Sequence, residues 1–211
     1  MKKLESTLPN MLIVLTCISV IAAGALAYVN TLTEEPIALN KQKTLEEGIN
    51  KVLGGEAATV ESTDTVMDAN DNPVILYATD KGVAVQAIDP NGFGGALKVL
   101  VGFDAAGSIK GYTVLEHAET PGLGAKADFW FQAGEKGNII GKNPGERELM
   151  VSKDGGDVDA ITASTITSRA FLRAVNVAYH AYAGASAKAA GADATDVHTG
   201  ASPQAHPSPS L

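Results

Sequence analysis

A nearly uncharged apolar run close to the N-terminus constrains this chain more than any other feature. Residues 11–29 form a run of about 19 residues, which as a helix would span roughly 28 Å, close to the roughly 30 Å hydrocarbon core of a bilayer. This length and composition predict a transmembrane helix. Lys2 and Lys3 precede the run, whereas no basic residue follows it until Lys41. The positive-inside rule therefore predicts residues 1–10 in the cytoplasm and the rest of the chain outside it.

A cleaved signal peptide is the alternative interpretation of the same run. Ala25-Leu26-Ala27 could be a signal-peptidase site, but the run is long for a signal's apolar region, so a retained anchor is favoured. Cys17, within the run, is the only cysteine and is interpreted as a small packing or lipid-facing residue. A single cysteine excludes disulfides, cysteine zinc sites and cysteine-ligated clusters within this chain. Electron transfer would therefore need an organic cofactor.

Length and charge narrow the class of protein further. The chain has 211 residues, enough for one globular domain with accessory segments. Its formal charge of -8 and the lack of a basic patch argue against a nucleic-acid partner. We expect a helical stalk over residues 30–55, with its helix starting at Pro36, although a packing helix of the domain fits equally well. The domain then covers residues 56–184, and residues 185–211 are predicted to be disordered.

Turn signals and alternating apolar residues predict an α+β domain with an antiparallel sheet and flanking helices. Residues 74–78 and 83–88 flank one hairpin turn, and residues 96–103 and 109–115 flank another. Residues 56–72 are polar, which predicts a loop or an irregular strand. Residues 128–132 predict a short helix, with core packing favoured over ring stacking for its aromatic side chains. Two further strands are predicted at residues 148–152 and 158–162, before a helix over residues 167–184.

Residues 159–168 carry the first motif that could hold a ligand. The sequence there is Asp-Ala-Ile-Thr-Ala-Ser-Thr-Ile-Thr-Ser, which places five hydroxyl residues where a predicted strand is followed by a helix that starts at about Ile166. Thr165 would then lie at the helix N-terminus, where unpaired N–H groups and the helix dipole favour a phosphate. Alone, the motif would more simply be interpreted as a helix cap.

A second motif precedes the first by about 40 residues. Residues 119–124 are Glu-Thr-Pro-Gly-Leu-Gly. Pro121 fixes one backbone angle, whereas Gly122 and Gly124 permit left-handed conformations and close approach, so such a loop can lie against a flat ring. On its own it would be interpreted as a tight surface turn. Neighbouring His117 is interpreted as a structural hydrogen-bonding residue, and Lys126 as a solvated lysine.

Together the two motifs resemble the FMN-binding domain family. In that family the last threonine of a Ser/Thr-Gly-Ala-Thr core carries FMN through a phosphoester bond, which implies that Thr165 is the flavinylated residue here. The core in this chain is Thr162-Ala163-Ser164-Thr165, so alanine replaces the glycine and serine replaces the alanine. The resemblance implies a flavin transferase that uses FAD and a divalent metal and recognises Asp159. It implies no catalytic residue and no metal ligand, and a cofactor-binding set comprising Thr162, Ala163, Ser164, Thr165, Thr167, Glu119, Thr120, Pro121, Gly122, Leu123 and Gly124.

With the anchor in front, residues 1–184 resemble the family of G subunits of ion-translocating electron transport complexes (RnfG/RsxG). The resemblance implies a single-pass protein of the bacterial inner membrane, with its domain in the periplasm. It also implies a covalent-FMN electron carrier, rather than an independent catalyst, in a complex that couples ferredoxin–NAD electron transfer to sodium or proton translocation. Its partners would be membrane lipid, the flavin transferase and the other membrane proteins of the complex.

Three other interpretations stay open from the sequence. The NqrC protein of the sodium-pumping quinone reductase shares this domain but is usually longer. A stand-alone anchored flavin domain would serve extracellular electron transfer or a reductase. A cofactor-free anchored interaction domain would be colourless, and changing Thr165 to alanine would alter only a helix cap.

Overall fold

The computed structural model describes residues 8–196 of the chain. In chain order the main elements are helix α1, strands β1 to β5, the short helix α2 and helix α3. Their bounds are α1 Leu8–Val52, β1 Val60–Met67, β2 Pro73–Thr79, β3 Gly82–Asp89, β4 Leu97–Phe103, β5 Ile109–Glu116, α2 Ala127–Trp130 and α3 Thr165–Asp196. The predicted α+β class is confirmed.

Helix α1 is continuous over 45 residues and contains Pro36 in its interior. The expectation that a separate stalk helix starts at Pro36 is therefore wrong. A proline removes one main-chain hydrogen bond, but strong helix formers such as glutamate, alanine, leucine and lysine surround this one and continue the helix. Within residues 8–196, α1 is the one helix long and apolar enough to cross a membrane.

The chain divides into two compact units between Glu46 and Glu47. In the second unit the end of α1 contributes to the core, since Ile49, Val52 and Leu53 are almost fully buried. The second unit therefore begins before residue 56, where the sequence predicted the domain to start. Residues 47–53 belong to the domain because their apolar side chains cover the sheet, as the packing-helix alternative proposed.

The sheet has five antiparallel strands in the order β1-β2-β3-β4-β5. Both predicted hairpins are confirmed, as β2 pairs with β3 and β4 pairs with β5. The first strand, β1, lies where a loop or irregular strand was expected. Its residues are nearly all exposed, and it lies at the edge of the sheet, paired with β2 alone. Main-chain pairing rather than an apolar face holds β1 in the sheet. Its sequence therefore lacks the alternation of apolar and polar residues that predicts a strand.

Helix α3 covers one face of the sheet, packing against β2, β3 and β4. Its buried residues include Ala170, Leu172, Val175, Ala178 and Tyr182, with Tyr179 only half-buried. Phe171 is also buried and stacks on Phe131 with ring centroids 4.3 Å apart. Helix α3 continues to Asp196, so the predicted disorder is wrong for residues 185–196. Alanine, the strongest helix former, dominates this stretch. Residues 197–211 lie outside the described part of the chain.

The long connection between β5 and α3 is mostly irregular. The predicted strands at residues 148–152 and 158–162 are wrong as strands, and a single parallel bridge between Val151 and Val158 remains. The predicted short helix is present as α2, with Phe131 buried directly after it. Tyr112 on β5 fixes this region, because its hydroxyl donates to Ala127 O at 2.8 Å and accepts from the Phe131 N–H at 3.1 Å. Burial raises the pKa of that hydroxyl, which keeps it protonated.

Candidate functional site

Hydrogen bonds close the first turn of α3 on itself. Ser164 N–H donates to Ile161 O at 2.9 Å. Ser168 Oγ accepts from the Ile161 N–H at 2.9 Å and donates to Ser164 O at 3.0 Å. Ser168 is fully buried, so this closure lies beneath the turn. The turn is therefore a fixed structure whose outer side is formed by residues 162, 163, 165 and 166.

The carboxylate of Glu119 lies against this turn from a distant part of the chain. Thr167 Oγ1 donates to Glu119 Oε2 at 2.7 Å, and the Gly94 N–H donates to Glu119 Oε1 at 3.2 Å. Ser164 Oγ lies 3.2 Å from Thr167 Oγ1. Glu119 is only 6% exposed and Thr167 is fully buried. Each carboxylate oxygen thus has a partner within the protein.

Two glycines allow this close arrangement. A Cβ added at Gly124 would lie 2.4 Å from Glu119 Oε2 and 2.7 Å from Thr167 Oγ1. A Cβ added at Gly92 would lie 2.6 Å from Glu119 Oε1. The segment at residues 92–95, the loop at residues 119–124 and the N-terminus of α3 therefore meet at one carboxylate. Sequence reasoning missed the first of these segments, although three glycines within four residues were a signal of close backbone approach.

The rest of the Glu-Thr-Pro-Gly-Leu-Gly loop forms an exposed turn. Leu123 N–H donates to Thr120 O at 3.1 Å, and Gly122 has a φ of 78° after Pro121. Proline followed by a left-handed glycine is the pattern of a type II turn. Thr120, Pro121, Gly122 and Leu123 are all exposed, whereas Glu119 and Gly124 are buried and lie against Thr167 of the hydroxyl motif.

Thr165 differs from the other hydroxyl residues at the start of α3. It is the first residue of the helix and is partly exposed. Among residues 8–196, no group forms a side-chain hydrogen bond with Thr165, whereas the hydroxyls of Ser164, Thr167 and Ser168 are all engaged. Thr162, also exposed, has no such partner in the described part of the chain either. Thr165 is thus the accessible hydroxyl at the end of the helix where unpaired N–H groups emerge.

Asp159 is held from two sides. The Trp130 indole N–H donates to Asp159 O at 2.8 Å, and Ser152 Oγ donates to Asp159 Oδ1 at 3.0 Å. The residue itself is exposed, so its second carboxylate oxygen faces solvent or a partner. Trp130 therefore serves the motif loop rather than the hydrophobic core alone, a role that the sequence did not predict.

Charged groups near the first turn of α3 are paired. Arg169 follows Thr165 by four residues, which places both on one face of the helix. Its guanidinium donates to both carboxylate oxygens of Asp154 at 2.7 Å, and these hydrogen bonds hold the pKa of Asp154 below its usual range.

His117 accepts a hydrogen bond from the Glu119 N–H at 3.2 Å, which fits its predicted structural role. No group of three or more potential metal ligands occurs within residues 8–196.

Three large apolar side chains are exposed beside the convergence point. Phe93, Leu123 and Ile166 are 67%, 41% and 50% exposed. Each directly adjoins a residue that packs around Glu119, namely Gly94, Gly124 or Thr167. Because contiguous exposed apolar surface is typical of ligand-binding or protein-binding sites, these three side chains are candidates for one.

Comparisons with known proteins extend these observations. The family model of the FMN-binding domain matches residues 92–180, a range that contains Glu119 and both motifs. The G subunit of the ion-translocating oxidoreductase complex from Aliivibrio fischeri is 31% identical over 192 residues, which cover 84% of this chain and 91% of the relative. The chain belongs to the family of G subunits of ion-translocating oxidoreductase complexes. The predicted resemblance is therefore confirmed.

Other members of the family give the same result. The G subunit from Vibrio vulnificus is 36% identical over 72% of this chain and 78% of the relative. The G subunit from Yersinia pestis is also 36% identical, over 73% of this chain and 80% of the relative. The chain thus matches the G subunits over most of their length, and the FMN-binding domain is the part that contains the candidate site.

Proposed function

We propose that this chain is the electron-carrying G subunit of a membrane-bound ion-translocating oxidoreductase complex, with FMN joined through its phosphate to Thr165. Its relatives are named as subunits of such complexes, and the matched domain is an FMN-binding one. Bound flavin supplies one- and two-electron transfer. The role of the other proteins in the complex is to exchange those electrons and couple them to ion movement.

The state of the Thr165 hydroxyl is the observation that carries this proposal. The hydroxyls of Ser164, Thr167 and Ser168 form internal hydrogen bonds. Among the described residues no group is hydrogen-bonded to Thr165 Oγ1, which lies at the N-terminus of α3. A phosphate there would face unpaired N–H groups and the positive end of the helix dipole. Arg169 lies on the same helix face and forms an ion pair with Asp154.

The residues around Thr165 also suit a flat, apolar ring. Phe93, Leu123 and Ile166 supply apolar surface, and the turn at residues 120–123 supplies main chain without bulky side chains at Gly122. This arrangement fits the predicted participation of Thr120, Pro121, Gly122 and Leu123 in the cofactor site. Thr162 and Ala163 would line the phosphate side of it.

Attachment would need a separate enzyme. A threonine hydroxyl is a poor nucleophile unless a base activates it. Within the described residues, no histidine, aspartate or glutamate is hydrogen-bonded to Thr165. We therefore propose a separate flavin transferase, and the family resemblance implies one that uses FAD and a divalent metal and recognises Asp159, whose side chain is exposed. The transfer would break the pyrophosphate bond of FAD, join the FMN phosphate to Thr165 Oγ1 and release AMP.

The anchor would hold this domain at the membrane. Helix α1 has the length and composition of a membrane-spanning helix. With Lys2 and Lys3 before the apolar run and no basic residue after it until Lys41, the positive-inside rule favours a cytoplasmic N-terminus and a domain outside the cytoplasm. The family resemblance implies that this location is the periplasmic side of the bacterial inner membrane. A covalent link makes sense in that location, because free cofactor would be diluted away.

Intact-mass measurement of the full-length chain tests the proposal. Wild-type, Thr165→Ala and Thr63→Ala chains would be produced in cells with and without a flavin transferase. We expect one FMN-sized increment and in-gel fluorescence for the wild type and for Thr63→Ala, an exposed threonine of β1. Thr165→Ala should carry neither. Flavin retained on Thr165→Ala, or an unmodified wild type beside a modified control protein, would favour a cofactor-free interaction domain or another attachment residue.

A further inference from the structure

Glu119 is a buried carboxylate without a cationic partner. Among residues 8–196, no lysine, arginine or histidine side chain forms an ion pair with it. Its partners are a main-chain N–H and a threonine hydroxyl. Burying a charge is unfavourable unless hydrogen bonds and nearby dipoles compensate for lost water. The positive end of the α3 dipole contributes here, since Thr167 lies in the first turn of α3.

The hydrogen atoms in this cluster have a defined direction. A carboxylate can only accept, so Thr167 must donate its single hydroxyl hydrogen to Glu119 Oε2. Thr167 Oγ1 can then only accept from Ser164 Oγ, 3.2 Å away. The chain of hydrogen bonds therefore runs from Ser164 through Thr167 to Glu119, and Glu119 is fixed on its other side by Gly94.

This chain of hydrogen bonds brackets the proposed attachment residue. Ser164 precedes Thr165 directly, and Thr167 follows it by two residues. Ser164 and Thr167 are buried and tied to the same carboxylate, while Ser168 closes the turn beneath them. Within residues 8–196 no side-chain hydrogen bond fixes Thr165 itself, so the hydrogen-bonded groups nearest to it are these neighbours in the same turn.

We infer that Glu119 is a positioning residue: through Thr167 it holds the first turn of α3 so that the Thr165 hydroxyl faces the flavin transferase. The inference rests on the proposed attachment at Thr165. It gives Glu119 a role different from the direct cofactor contact that the resemblance implied, because both of its oxygens already have protein partners and the side chain is almost enclosed.

Four variants separate the hydrogen-bond role from the charge and from packing. Thr167→Val keeps the shape and removes the hydroxyl, whereas Thr167→Ser keeps the hydroxyl. Glu119→Asp keeps the charge but is one methylene too short to reach both partners. Glu119→Gln removes the charge, yet its carbonyl can accept from Gly94 and its amide can donate to Thr167, which would then donate to Ser164.

The measurement is the steady-state rate of flavinylation of the full-length chain in detergent, with purified transferase, FAD and Mg²⁺. We expect Thr167→Val and Glu119→Asp to lower kcat about tenfold or more, with KM for the protein substrate within about twofold of the wild type, because misplacing a reacting group affects turnover. The conservative variants Thr167→Ser and Glu119→Gln should each keep most of the wild-type kcat. Thermal unfolding followed by Trp130 fluorescence identifies any variant that is not folded. If Thr167→Val does not fold, the kcat of Glu119→Asp tests the inference.

Other outcomes overturn the inference. A normal kcat in the folded disruptive variants would show that the orientation of Thr165 does not depend on this cluster. A higher KM with unchanged kcat would make it a recognition feature instead. A Glu119→Gln chain as slow as Glu119→Asp would show that the hydrogen bonds that glutamine can still form do not maintain turnover, which contradicts the hydrogen-bond role. Failure of the proposed function is distinct from all of these, since then the wild type itself would stay unmodified or Thr165→Ala would be modified.

Discussion

At the scale of single residues, Ala163 has a conformation that suits glycine. Its φ is 61°, and Asp71 is the only other described non-glycine residue with a positive φ. A left-handed conformation costs an L-residue about 1–2 kcal/mol, which is more than the entropy that a glycine loses on folding. The family core that this motif resembles has glycine at that position. The departure at Ala163 is thus a local strain in the turn that presents Thr165.

We predict that Ala163→Gly raises the free energy of unfolding by about 0.5–1 kcal/mol. The measurement is urea unfolding of the full-length chain in detergent, followed by the fluorescence of Trp130, the single tryptophan of the chain. Ala160→Gly is the matched control, because Ala160 lacks a positive φ. That control should lower stability by about 0.5–1 kcal/mol. Equal shifts in the same direction for both variants would contradict the strain argument.

Residues that act locally could be predicted from the sequence, and residues that act over long range could not. The helix N-terminus at Thr165 followed from hydroxyl residues next to an apolar periodic segment. The bond from Thr167 to Glu119 joins residues 48 apart in the sequence, and no local pattern indicates it. The same holds for Gly94, which meets Glu119 only because the sheet brings β4 beside β5. The sequence indicates that Trp130 is an aromatic packing residue, but it does not indicate that the indole N–H donates to Asp159 O.

At the scale of elements, the end of α1 depends on glycines in the sheet. A Cβ added at Gly102 on β4 would lie 2.3 Å from Val52 O, and one at Gly111 on β5 would lie 3.0 Å from the same oxygen. The main chain of α1 therefore lies directly against the paired strands. This close approach explains why β4 and β5 each have a glycine at the paired positions Gly102 and Gly111.

We predict opposite effects for two glycine-to-alanine substitutions. Gly102→Ala should lower the free energy of unfolding by about 1–3 kcal/mol or more, because a backbone carbonyl cannot move aside easily. Gly184→Ala should raise it by up to about 1 kcal/mol, since Gly184 lies in α3 with nothing within 4 Å of an added Cβ. Urea unfolding followed by Trp130 fluorescence measures both. Stabilisation by Gly102→Ala would mean that α1 does not pack on β4 in this way.

Elements with their own apolar pattern were predicted well, and those held by neighbours were not. The two hairpins combine alternation with turn residues, so their strands match the structure closely. Edge strand β1 depends on pairing with β2, and its eight residues show almost no buried side. The sequence predicts a separate helix that starts at Pro36, because proline is common in the first turn of a helix. In the structure, helix formers on both sides continue one helix through Pro36.

At the scale of the whole molecule, surface carboxylates set the response to acid. Hydrogen bonds from Asn72, Arg169 and Lys142 hold the pKa values of Asp68, Asp154 and Asp157, respectively, below the usual range. A lowered pKa in the folded state means that the contribution to stability is present above the ordinary aspartate pKa of about 4 and is lost as the pH falls below it.

We predict that stability is nearly constant around neutral pH and declines below about pH 4. Asp157→Asn should make that decline shallower, because it removes one of the carboxyls that must be protonated. Thermal unfolding between neutral and acid pH, at low salt, measures the slope. Glu146→Gln is the control, since Glu146 is exposed and has no ion-pair partner among the described residues. An identical slope for Asp157→Asn and the wild type would show that Asp157 does not contribute to the loss of stability in acid.

The boundary of the folded domain gives the last prediction. A fragment of residues 47–211 keeps Ile49, Val52 and Leu53, which are 3%, 0% and 4% exposed in the core. A fragment that begins at residue 56, where sequence composition alone placed the domain, loses all three. Full burial of such side chains contributes about 1.5–3 kcal/mol each, so the loss approaches the whole stability of a typical domain, about 5–15 kcal/mol. We therefore expect cooperative unfolding, followed by Trp130 fluorescence and circular dichroism, for the fragment from residue 47 and none for the fragment from residue 56. If the shorter fragment folded with the same midpoint, the last turns of α1 would belong functionally to the anchor, and the domain would be complete without them.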